Sequence, residues 1–484
     1  MMFEGKRAAV HTLGCKVNEY EADVMRAQLE EAGFEIVPFS EDAHVYVINT
    51  CSVTNIADRK SRQMISRAKK KRPDAVVVAA GCYVQTALEK TGKELDADIL
   101  LGSGRKSRLV EELELYFAAM EAAQDYDRTR QGETVSDVMH EREYEALSLP
   151  RIEGHTRAWI KVQDGCGMFC SYCIIPFARG RSRSRRLEDV VKEVETLADQ
   201  GIREVVLTGI HLSSYGVDQY QGSVGPAALT WQERSGLMDL IEEVSRIKGI
   251  DRIRLGSLEP TIMTEAFIRR LSRVKEICPH FHLSLQSGCD SVLKRMNRHY
   301  TTSEYLDCLK LLRSVYDRPA ITTDVIVGFP QESEEEFACT RHFLEQARLY
   351  ETHLFRYSMR AGTRAAHMDG QIPEKVKEER LSELSAIDAR MRKSFERSWD
   401  GSEVQVLFEE KVQIDDRGYI CIPNSGRTQR TAEDLRITRA TEKEMLYTGY
   451  TREYIRVFAC STEDLRGKIL TGNLDGLKMR NLVG

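Results

Sequence analysis

Between residues 155 and 395 the sequence alternates six times between a short apolar run and a helical pattern. Strands separated by helices pair in parallel, and six strand–helix units are too few to close an eight-unit barrel. We therefore expect an open, partial (β/α)6 barrel over residues 151–398. The predicted strands lie at 157–163, 203–209, 251–257, 281–286, 320–327 and 352–357, and the predicted helices at 187–200, 236–247, 263–272, 302–315, 333–347 and 374–398.

A second α/β pattern occupies residues 1–120 and predicts a doubly wound parallel-sheet domain. Its apolar runs are of the kind that is buried in parallel sheets. The runs are Arg7–Thr12, His44–Thr50 and Ala75–Ala80, with helical patterns near 19–32, 58–71 and 105–120. Residues 121–150 are charged and weakly periodic, and we interpret them as a linker.

The pattern changes again after residue 398. Short alternating strands with turns between them predict a small antiparallel β-barrel over residues 399–465. We interpret residues 466–484 as a C-terminal tail. The strand patterns are Glu403–Glu409, Gly418–Ile422 and Arg452–Ala459.

Composition narrows the class of protein. The chain is 42% hydrophobic and 30% charged, and no stretch approaches the roughly 18 apolar residues of a membrane-spanning helix. Twelve cysteines without a secretory signal predict a cytoplasmic protein whose thiols are available to metal, with no membrane partner. The net charge of -5 provides no general attraction for nucleic acid, so such binding would depend on local patches.

Three cysteines stand together in Asp164-Gly-Cys166-Gly-Met-Phe-Cys170-Ser-Tyr172-Cys173, with the spacing C-x3-C-x2-C. Three thiolates on one short loop can bind three corners of a cubic iron–sulfur cluster. The fourth iron is then free to bind a small molecule, like the open position of catalytic zinc. The alternative is a structural zinc site, but zinc usually has four ligands and no fourth cysteine or histidine lies nearby in the sequence.

Cys15, Cys51 and Cys82 each follow one of the three predicted N-terminal strands. Ligands collect outside the carboxyl ends of parallel strands, so we expect these thiols to converge and to hold a second metal cluster. The alternative is that they are small buried residues. The remaining cysteines show no ligand spacing and are interpreted as inert: Cys278, Cys289, Cys308, Cys339, Cys421 and Cys460.

The Cys166 motif resembles the signature of radical S-adenosylmethionine (SAM) enzymes, whose open iron chelates SAM. With the N-terminal cysteines and the C-terminal barrel, nearly the whole chain resembles the methylthiotransferases, which carry a second three-cysteine cluster and a TRAM domain. The matching stretches are Gly14-Cys15-Lys16-Val17-Asn18, Asn49-Thr50-Cys51, Gly81-Cys82, Pro176–Arg185, Leu285-Gln286-Ser287-Gly288, Met296-Asn297-Arg298 and Thr323–Pro330.

Three branches of that family modify isopentenyladenosine in tRNA, an aspartate of a ribosomal protein, or N6-threonylcarbamoyladenosine at tRNA position 37. The stretches Thr12–Glu21, Cys51–Asn55 and 155–166 are similar to the bacterial third branch. Isopentenyladenosine enzymes tend to carry Gln-Met where Lys16-Val17 stand here. The ribosomal-protein branch tends to carry a proline beside the cysteine that corresponds to Cys15. Gly167 stands where members often carry asparagine, a departure that leaves the ligand spacing intact.

The resemblance implies an enzyme with two [4Fe-4S] clusters and SAM. The C–H bond at carbon 2 of adenine is not acidic near pH 7, so acid–base catalysis cannot open it, whereas radical chemistry from a cofactor can. The implied reaction uses SAM as radical source and again as methyl donor for a sulfur from the second cluster. The implied partners are the tRNA anticodon stem-loop, an electron donor such as flavodoxin or ferredoxin, and a sulfur source.

Polar groups at the ends of barrel strands are candidate SAM contacts, because such positions are more often functional than structural. The candidates are Tyr172, Ser257, Glu259, Gln286 and Asp324. Tyr172, expected near the adenine of SAM, fits a core position equally well. Asn18 is a candidate support of the second cluster, and capping of the following helix is the alternative.

Two basic stretches flank the cysteine loops. Arg59–Arg72 holds eight Lys or Arg and no acidic residue, and Arg179–Arg186 holds five arginines. Such runs are usually solvated faces, but beside cluster loops they are candidate phosphate contacts. The candidates are Arg59, Lys60, Arg62, Lys69, Lys70, Arg181 and Arg183, and in the C-terminal barrel Arg452, Tyr454 and Arg456.

Two alternatives stay open on the sequence. The chain could be a methylthiotransferase that acts on isopentenyladenosine or on a ribosomal protein. It could also be a non-catalytic iron–sulfur protein that binds RNA or carries electrons, which would need no open iron.

Overall fold

A computed structural model describes residues 3–91, 95–122, 126, 134–151, 156–219, 236–417, 419–422, 426–431 and 444–483. Much of the predicted linker, residues 123–125 and 127–133, lies outside the described residues, as does Gly418 of one predicted strand. The described part of the chain folds as α/β units followed by a β-barrel, so the predicted fold class is confirmed.

The N-terminal unit contains β1 (Arg7–Thr12), α1 (Lys16–Glu31), β2 (Glu35–Ile36), β3 (Val45–Thr50), α2 (Asn55–Lys71), β4 (Val76–Gly81), α3 (Cys82–Thr91), β5 (Ile99–Leu101) and α4 (Leu109–Glu121). Its sheet is wholly parallel, in the order β2-β1-β3-β4-β5. Strands β3 and β4 are buried along their whole length, because helices cover both faces of such a sheet. The short strands β2 and β5 were not predicted.

The central unit contains β6 (Arg157–Asp164), α5 (Ile175–Arg179), β7 (Arg183–Ser184), α6 (Leu187–Asp199), β8 (Glu204–Gly209), α7 (Gly236–Ser245), β9 (Arg252–Leu255), α8 (Glu265–Leu271), β10 (His280–His282), α9 (Asp290–Arg295), α10 (Thr302–Val315), β11 (Ala320–Val327), α11 (Glu334–Ala347), β12 (Glu351–Arg356) and α12 (Glu374–Ser398). Strands β6, β8 and β9 are parallel neighbours, as are β10, β11 and β12. Single parallel bridges from Ile253 to Ile277 and from Leu258 to Leu283 join the two halves. The result is the predicted open barrel of six parallel strands.

Local sequence signals fix where two outer helices of the barrel begin. Thr301 and Glu304 form a capping box at the start of α10, and Ser333 and Glu336 form another at the start of α11. Each box satisfies backbone N–H groups that the first turn leaves without a helical partner. Helix starts of this kind can therefore be read from the sequence.

The C-terminal unit contains β13 (Glu403–Ile414), β14 (Tyr419–Ile422), β15 (Gly426–Thr431), β16 (Met445–Thr451), β17 (Arg456–Ser461), β18 (Ile469–Asp475) and β19 (Lys478–Val483). Five of these strands close into a barrel through the pairing of β13 with β18, while β14 and β15 extend its edge. The predicted small β-barrel is thus present. The residues predicted as a tail supply β18 and β19, because closure of the sheet needs a partner for the free edge of β13.

The three units are packed against one another. Leu147 and Leu149, in the described part of the predicted linker, are buried against Tyr20 and Val24 of α1. Arg254 of β9 donates hydrogen bonds to the carbonyls of Thr451 and Arg452, which dock the C-terminal barrel. In the part of the chain that the structure describes, no helix is long and apolar enough to cross a membrane.

Candidate active site

The three N-terminal cysteines lie at one edge of the parallel sheet. Cys15 and Cys51 follow β1 and β3, and Cys82 begins α3 directly after β4. The backbone of Gly14 has φ +110, and a Cβ at this position would lie 2.8 Å from both Cβ and Sγ of Cys51. Glycine is therefore required there, because it alone combines this backbone conformation with such a close approach.

Asn18 fixes the loops that carry these cysteines. It is buried on α1, and its amide nitrogen donates to the carbonyls of Leu13, at 2.6 Å, and Thr50, at 3.0 Å. Its side-chain oxygen accepts a 2.7 Å hydrogen bond from Arg179 of the central unit. Helix capping, the alternative reading of Asn18, is not what its side chain does, since the side chain bridges two strand ends.

Arg179 links the N-terminal cysteines to the barrel. Its guanidinium is fully buried, and its Nε donates to Sγ of Cys82 at 3.1 Å. Its other nitrogens donate to Glu21, at 2.8 and 3.0 Å, and to Asp164, at 3.0 Å. Lys161 donates to the same two carboxylates, at 2.7 Å each. Burial opposes ionisation of Glu21, but Arg179 and neighbouring lysines hold the pKa of its carboxyl well below the ordinary value.

The second cysteine triad occupies one loop after β6. The backbone N–H of Cys166 donates to the carbonyl of Gly180 at 2.9 Å. Arg298 donates to Sγ of Cys170 at 3.3 Å and to Glu259 at 2.7 Å. Asn297 donates to two carbonyls of the loop, at 3.2 Å each. The loop is therefore held from several sides by the barrel.

A cavity of about 290 Å³ lies at the mouth of the barrel, beside this loop. Its wall includes all three cysteines of the loop and, from the N-terminal unit, Val53 and Thr54, which follow Cys51. All five candidate SAM contacts line it: Tyr172, Ser257, Glu259, Gln286 and Asp324. The structure thus brings together residues that lie far apart in the sequence.

Glu259 is the most strongly held anion of this cavity. Burial opposes its ionisation, but His211 and Arg298 hold the pKa of its carboxyl below the ordinary value. Among the described residues, its Oε1 is buried and has no hydrogen-bond partner. A buried carboxylate oxygen without a donor is a site for a ligand cation or N–H group, and the amino group of SAM meets that requirement.

The spacing of the thiols argues against a single zinc ion at either triad. A tetrahedral zinc with Zn–S bonds of about 2.3 Å brings its sulfur ligands to within about 4 Å of one another. Among the described residues, neither triad has its three Sγ atoms within 4.8 Å of each other. Among the described residues, neither triad is therefore drawn together as three thiolate ligands of one zinc ion would be.

Burial keeps two of these thiols protonated in the metal-free protein. It raises the pKa of Cys51 to about 12, and the pKa of Cys166 also to about 12. Iron binds thiolates, so binding would displace these protons. A buried thiol of this kind is inert until a metal replaces its proton.

Contacts beside the cavity lock the N-terminal unit to the barrel. Arg360 donates to Asn55 at 2.6 Å and to Ser52 at 2.8 Å, and it forms a 2.7 Å ion pair with Asp58. The amide of Asn55 also donates to the carbonyl of Met359 at 3.1 Å. The loop after Cys51 is therefore fixed against the end of β12.

The basic residues of α2 remain candidates for phosphate contacts. Arg59, Lys60, Arg62 and Lys70 are exposed or partly exposed. A surface groove of about 370 Å³ runs along this helix, lined by Arg59, Arg62, Gln63, Ser66, Arg67 and Lys70. Lys69 differs from the others, because it is paired with Asp98.

The second basic run has a different role from the one predicted. Arg181 is exposed, but Arg183 is only 3% exposed and lies 4.0 Å from Asp164, which removes it from the candidate phosphate contacts. The physical reason is that α5 and β7 run through the interior between two units, where arginines must pair with buried carboxylates.

The three candidates of the C-terminal barrel make contacts within the protein, and two of them, Arg452 and Tyr454, contact the central barrel. Arg452 donates to the carbonyl of Ile277 at 2.7 Å, and Arg456 donates to the hydroxyl of Tyr450. Tyr454 is stacked between Tyr450 and His280, with ring centroids at 4.5 and 4.8 Å. These side chains are therefore engaged within the protein, although each of them is only half-buried.

Sequence reasoning missed the roles of Arg179, Arg298 and Arg360. Arg179 and Arg298 stood within matched stretches, and only their positions beside cysteine loops could have pointed to sulfur contacts. Arg360 carried no recognisable signal, because its partners Ser52 and Asp58 lie about 300 residues away.

Comparison with known proteins defines the class. A model described as "Radical SAM superfamily" matches residues 160–344, and one described as "Uncharacterized protein family UPF0004" matches residues 7–102. The central barrel with its cysteine loop is therefore a radical-SAM domain, which uses a [4Fe-4S] cluster and SAM.

Similarity to individual proteins identifies the family to which the chain belongs. The chain is 38% identical over 463 residues to the threonylcarbamoyladenosine tRNA methylthiotransferase MtaB of Bacillus subtilis, covering 96% of this chain and 92% of that protein. It is 37% identical over 422 residues to the protein of the same name from Aquifex aeolicus, covering 87% and 97%. It is 32% identical over 434 residues to the tRNA-2-methylthio-N(6)-dimethylallyladenosine synthase of Acetivibrio thermocellus, covering 88% and 84%. The chain belongs to the radical-SAM tRNA methylthiotransferase family, and the predicted enzyme class is confirmed.

Proposed function

We propose that this enzyme adds a methylthio group to carbon 2 of N6-threonylcarbamoyladenosine at position 37 of tRNA. The supporting observation is that the loop after Cys51 forms part of the same cavity wall as Cys166, Cys170 and Cys173. A substrate in that cavity would lie between the two cysteine triads. The relatives from Bacillus subtilis and Aquifex aeolicus bear the matching substrate in their names.

Six cysteines would hold the metal. Cys166, Cys170 and Cys173 bind the radical-SAM cluster, and Cys15, Cys51 and Cys82 bind a second [4Fe-4S] cluster. When bound, these clusters and SAM supply radical cleavage of the carbon 2 C–H bond, a sulfur atom and a methyl group. SAM thus serves as radical source and as methyl donor.

The chain's own residues bind and orient these groups. Glu259, with its unpartnered buried oxygen, holds the SAM amino group, while Ser257, Gln286 and Asp324 reach its carboxylate or ribose. Tyr172 packs beside the adenine. Asn18 and Arg179 keep the N-terminal thiols in place, because they join both strand ends to the barrel.

The rim of the cavity suits an unstacked base. Val53, Ile56, Phe355 and Met359 are exposed apolar residues on the two chain segments that Asn55 joins, and Phe169 is exposed on the cysteine loop. Bases of RNA loops are recognised when they are splayed out onto aromatic and apolar side chains. A nucleoside of an anticodon loop meets this rim as it enters.

Cations of α2 would contact the phosphates of the anticodon stem-loop. Arg59, Lys60, Arg62 and Lys70 follow the same Cys51 loop, and Arg181 lies beyond the other cysteine loop. Lys69 would contribute only after leaving Asp98. Because the net charge of the chain is -5, this local patch has to supply the attraction for RNA.

The proposed reaction also needs a low-potential electron donor, such as flavodoxin or ferredoxin, and a source of sulfur. We place the enzyme in the cytoplasm, because its proposed substrate, tRNA, and the donors of electrons and sulfur would meet it there.

Mass spectrometry of nucleosides from total tRNA tests the proposal. Cells that lack the gene should lose the methylthio form of threonylcarbamoyladenosine and accumulate its precursor, and a plasmid copy should restore it. A copy with Cys51→Ala should not. Loss of methylthio-isopentenyladenosine instead would assign the enzyme to the branch of the Acetivibrio relative. Unchanged tRNA nucleosides would refute a tRNA substrate and direct the search to ribosomal proteins.

A further inference from the structure

Three side chains with metal-ligating atoms meet in the central barrel, one from each of three neighbouring strands. They are His282 of β10, Asp324 of β11 and His353 of β12. Their ligand atoms all lie within 4.8 Å of one another. Among the described residues, no other group of three histidine, cysteine, aspartate or glutamate side chains comes this close together. The cluster is therefore distinct from both cysteine triads.

The cluster adjoins the cavity at the mouth of the barrel. Asp324 is itself part of the cavity wall, and so is Phe355, two residues after His353 on β12. Residues two apart on a strand point to the same side of the sheet. The side chain of His353 is exposed. A small ligand that enters the cavity can therefore reach the cluster.

The distances within the cluster fit a single metal ion. Nε2 of His282 lies 3.3 Å from Oδ2 of Asp324. Two ligand atoms that are each about 2.0–2.2 Å from one ion lie about 3.0–3.5 Å apart. The ring centroids of His282 and His353 are 5.5 Å apart, and two imidazoles that share an ion have their centroids about 4.5–5 Å apart. A small rotation of the exposed His353 ring would complete the site.

Thr322 orients His282 for this role. Its hydroxyl oxygen lies 3.0 Å from Nδ1 of His282 and 3.4 Å from Nε2 of His280. When the hydroxyl donates its proton to His280, its oxygen accepts the Nδ1–H of His282, and Nε2 of His282 keeps its lone pair. A metal-binding histidine commonly donates its other ring N–H to a neighbouring oxygen in this way.

The carboxylate of Asp324 is not neutralised by a basic side chain. Among the described residues, no lysine or arginine lies within ion-pair distance of it, and its partner is His282. The buried Arg254 of β9 has a carboxylate of its own, since its Nε donates to Glu204 at 2.7 Å. The negative charge of Asp324 is therefore available to a metal ion.

We propose that His282, Asp324 and His353 bind one divalent transition-metal ion, such as zinc or iron(II). The ligand atoms are Nε2 of His282, Oδ2 of Asp324 and one ring nitrogen of His353. Two histidines and one carboxylate are a common donor set for such ions. Three protein ligands leave a coordination position for water or for an oxygen ligand from the cavity. The second oxygen of Asp324 stays available for the SAM contact proposed above.

Zinc binding to the purified holoenzyme tests the site. Zinc is measured rather than iron, because the iron of the clusters would hide one further ion. Its content is determined by mass spectrometry after equilibrium dialysis. Wild type should bind one equivalent of zinc more than His353→Gln or His282→Gln. Thr322→Val keeps the three ligands but should weaken zinc binding about 10- to 100-fold, because His282 loses the oxygen that orients its ring.

His342→Gln is the matched control, since this histidine is exposed on the outer helix α11 and should leave zinc binding unchanged. The iron content of each variant shows whether the fold and the clusters are intact, and the exposed His353 can be replaced without disturbing the core. Equal zinc contents of wild type and His353→Gln would overturn the site. An unchanged dissociation constant for zinc in Thr322→Val would contradict Nε2 of His282 as a ligand, and the proposed donor set would fail.

Discussion

The two cysteine triads are built in opposite ways. Cys166, Cys170 and Cys173 share one loop, and their spacing in the sequence already fixes their neighbourhood. The N-terminal triad takes one cysteine from each of three strand ends, so only the order of strands in the sheet brings its members together. A loop site is encoded locally, whereas a strand-end site is encoded by topology.

Each triad nevertheless has one buried arginine that donates to a cysteine sulfur. Arg298 reaches Cys170 from within the same barrel, at 3.3 Å. Arg179 reaches Cys82 across a boundary between two units, at 3.1 Å, and it also binds Glu21 of the N-terminal unit. The first arginine supports one site, and the second also holds two units of the molecule together.

The largest expected effect separates the chemical roles of the triads. Cys170→Ala should abolish both SAM cleavage and methylthiolation, because the radical-SAM cluster then lacks a ligand. Cys51→Ala should keep SAM cleavage while methylthiolation disappears. Both are measured by chromatography of 5′-deoxyadenosine and of RNA nucleosides. Cys421→Ala, outside both triads, is the control, and full methylthiolation by Cys51→Ala would contradict a distinct role of the second site.

A smaller effect is expected on the free energy of unfolding. Arg179→Met should cost about 3–5 kcal/mol, because it leaves Glu21 and Asp164 as buried carboxylates with one partner fewer. Arg186→Met, seven residues away and with a side chain that is 74% exposed, should change the free energy of unfolding by less than about 0.5 kcal/mol. Urea denaturation of the apoproteins measures both. Equal stability of the two variants would mean that Arg179 does not join the units.

The third effect concerns the electronic environment of one site. Arg298→Met removes a charge-assisted hydrogen bond to a ligand sulfur. This hydrogen bond stabilises the reduced form of the cluster, which is the more negative form. The reduction potential of the radical-SAM cluster should fall by about 60 mV, the equivalent of about 1.4 kcal/mol for one electron. Redox titration followed by electron paramagnetic resonance measures it. Arg179→Met should leave this potential unchanged, and a fall of equal size there would contradict the assignment of one arginine to each site.

The smallest effect is at the surface beside the N-terminal triad. Replacement of Arg59, Arg62 and Lys70 by glutamine should weaken stem-loop binding. The slope of log Kd against log salt concentration should decrease by about 0.7 to 0.9 for each phosphate that the variant no longer neutralises. Lys375→Gln, on the exposed face of α12, should leave the slope unchanged. An unchanged slope in the triple variant would place the RNA elsewhere.

The contrast between features that are encoded locally and features that depend on the fold also explains which parts of the site the sequence could predict. The six barrel strands and the loop cysteines follow from local patterns, and the strand-end cysteines follow from the rule that ligands collect at strand carboxyl ends. Arg183 was misread as a phosphate contact because a run of arginines looks the same whether it is solvated or paired with buried carboxylates. Arg360 was missed because nothing local marks a partner about 300 residues away.

The C-terminal residues that we interpreted as a tail show that the fold, too, is only partly predictable from local sequence patterns. Residues 469–475 and 478–483 lack a strong pattern of their own, but β13 offers an open edge that β18 pairs with. Closure of a barrel is a property of the whole sheet and cannot be read from the closing strand alone.

The central claim, that the protein carries two separate iron–sulfur sites, is tested most directly by iron and sulfide analysis of two triple variants. One replaces Cys166, Cys170 and Cys173 with alanine, and the other replaces Cys15, Cys51 and Cys82. We expect about eight iron atoms in the wild-type protein and about four in each variant, corresponding to one four-iron cluster per triad. An unchanged iron content after removal of Cys15, Cys51 and Cys82 would contradict the second site.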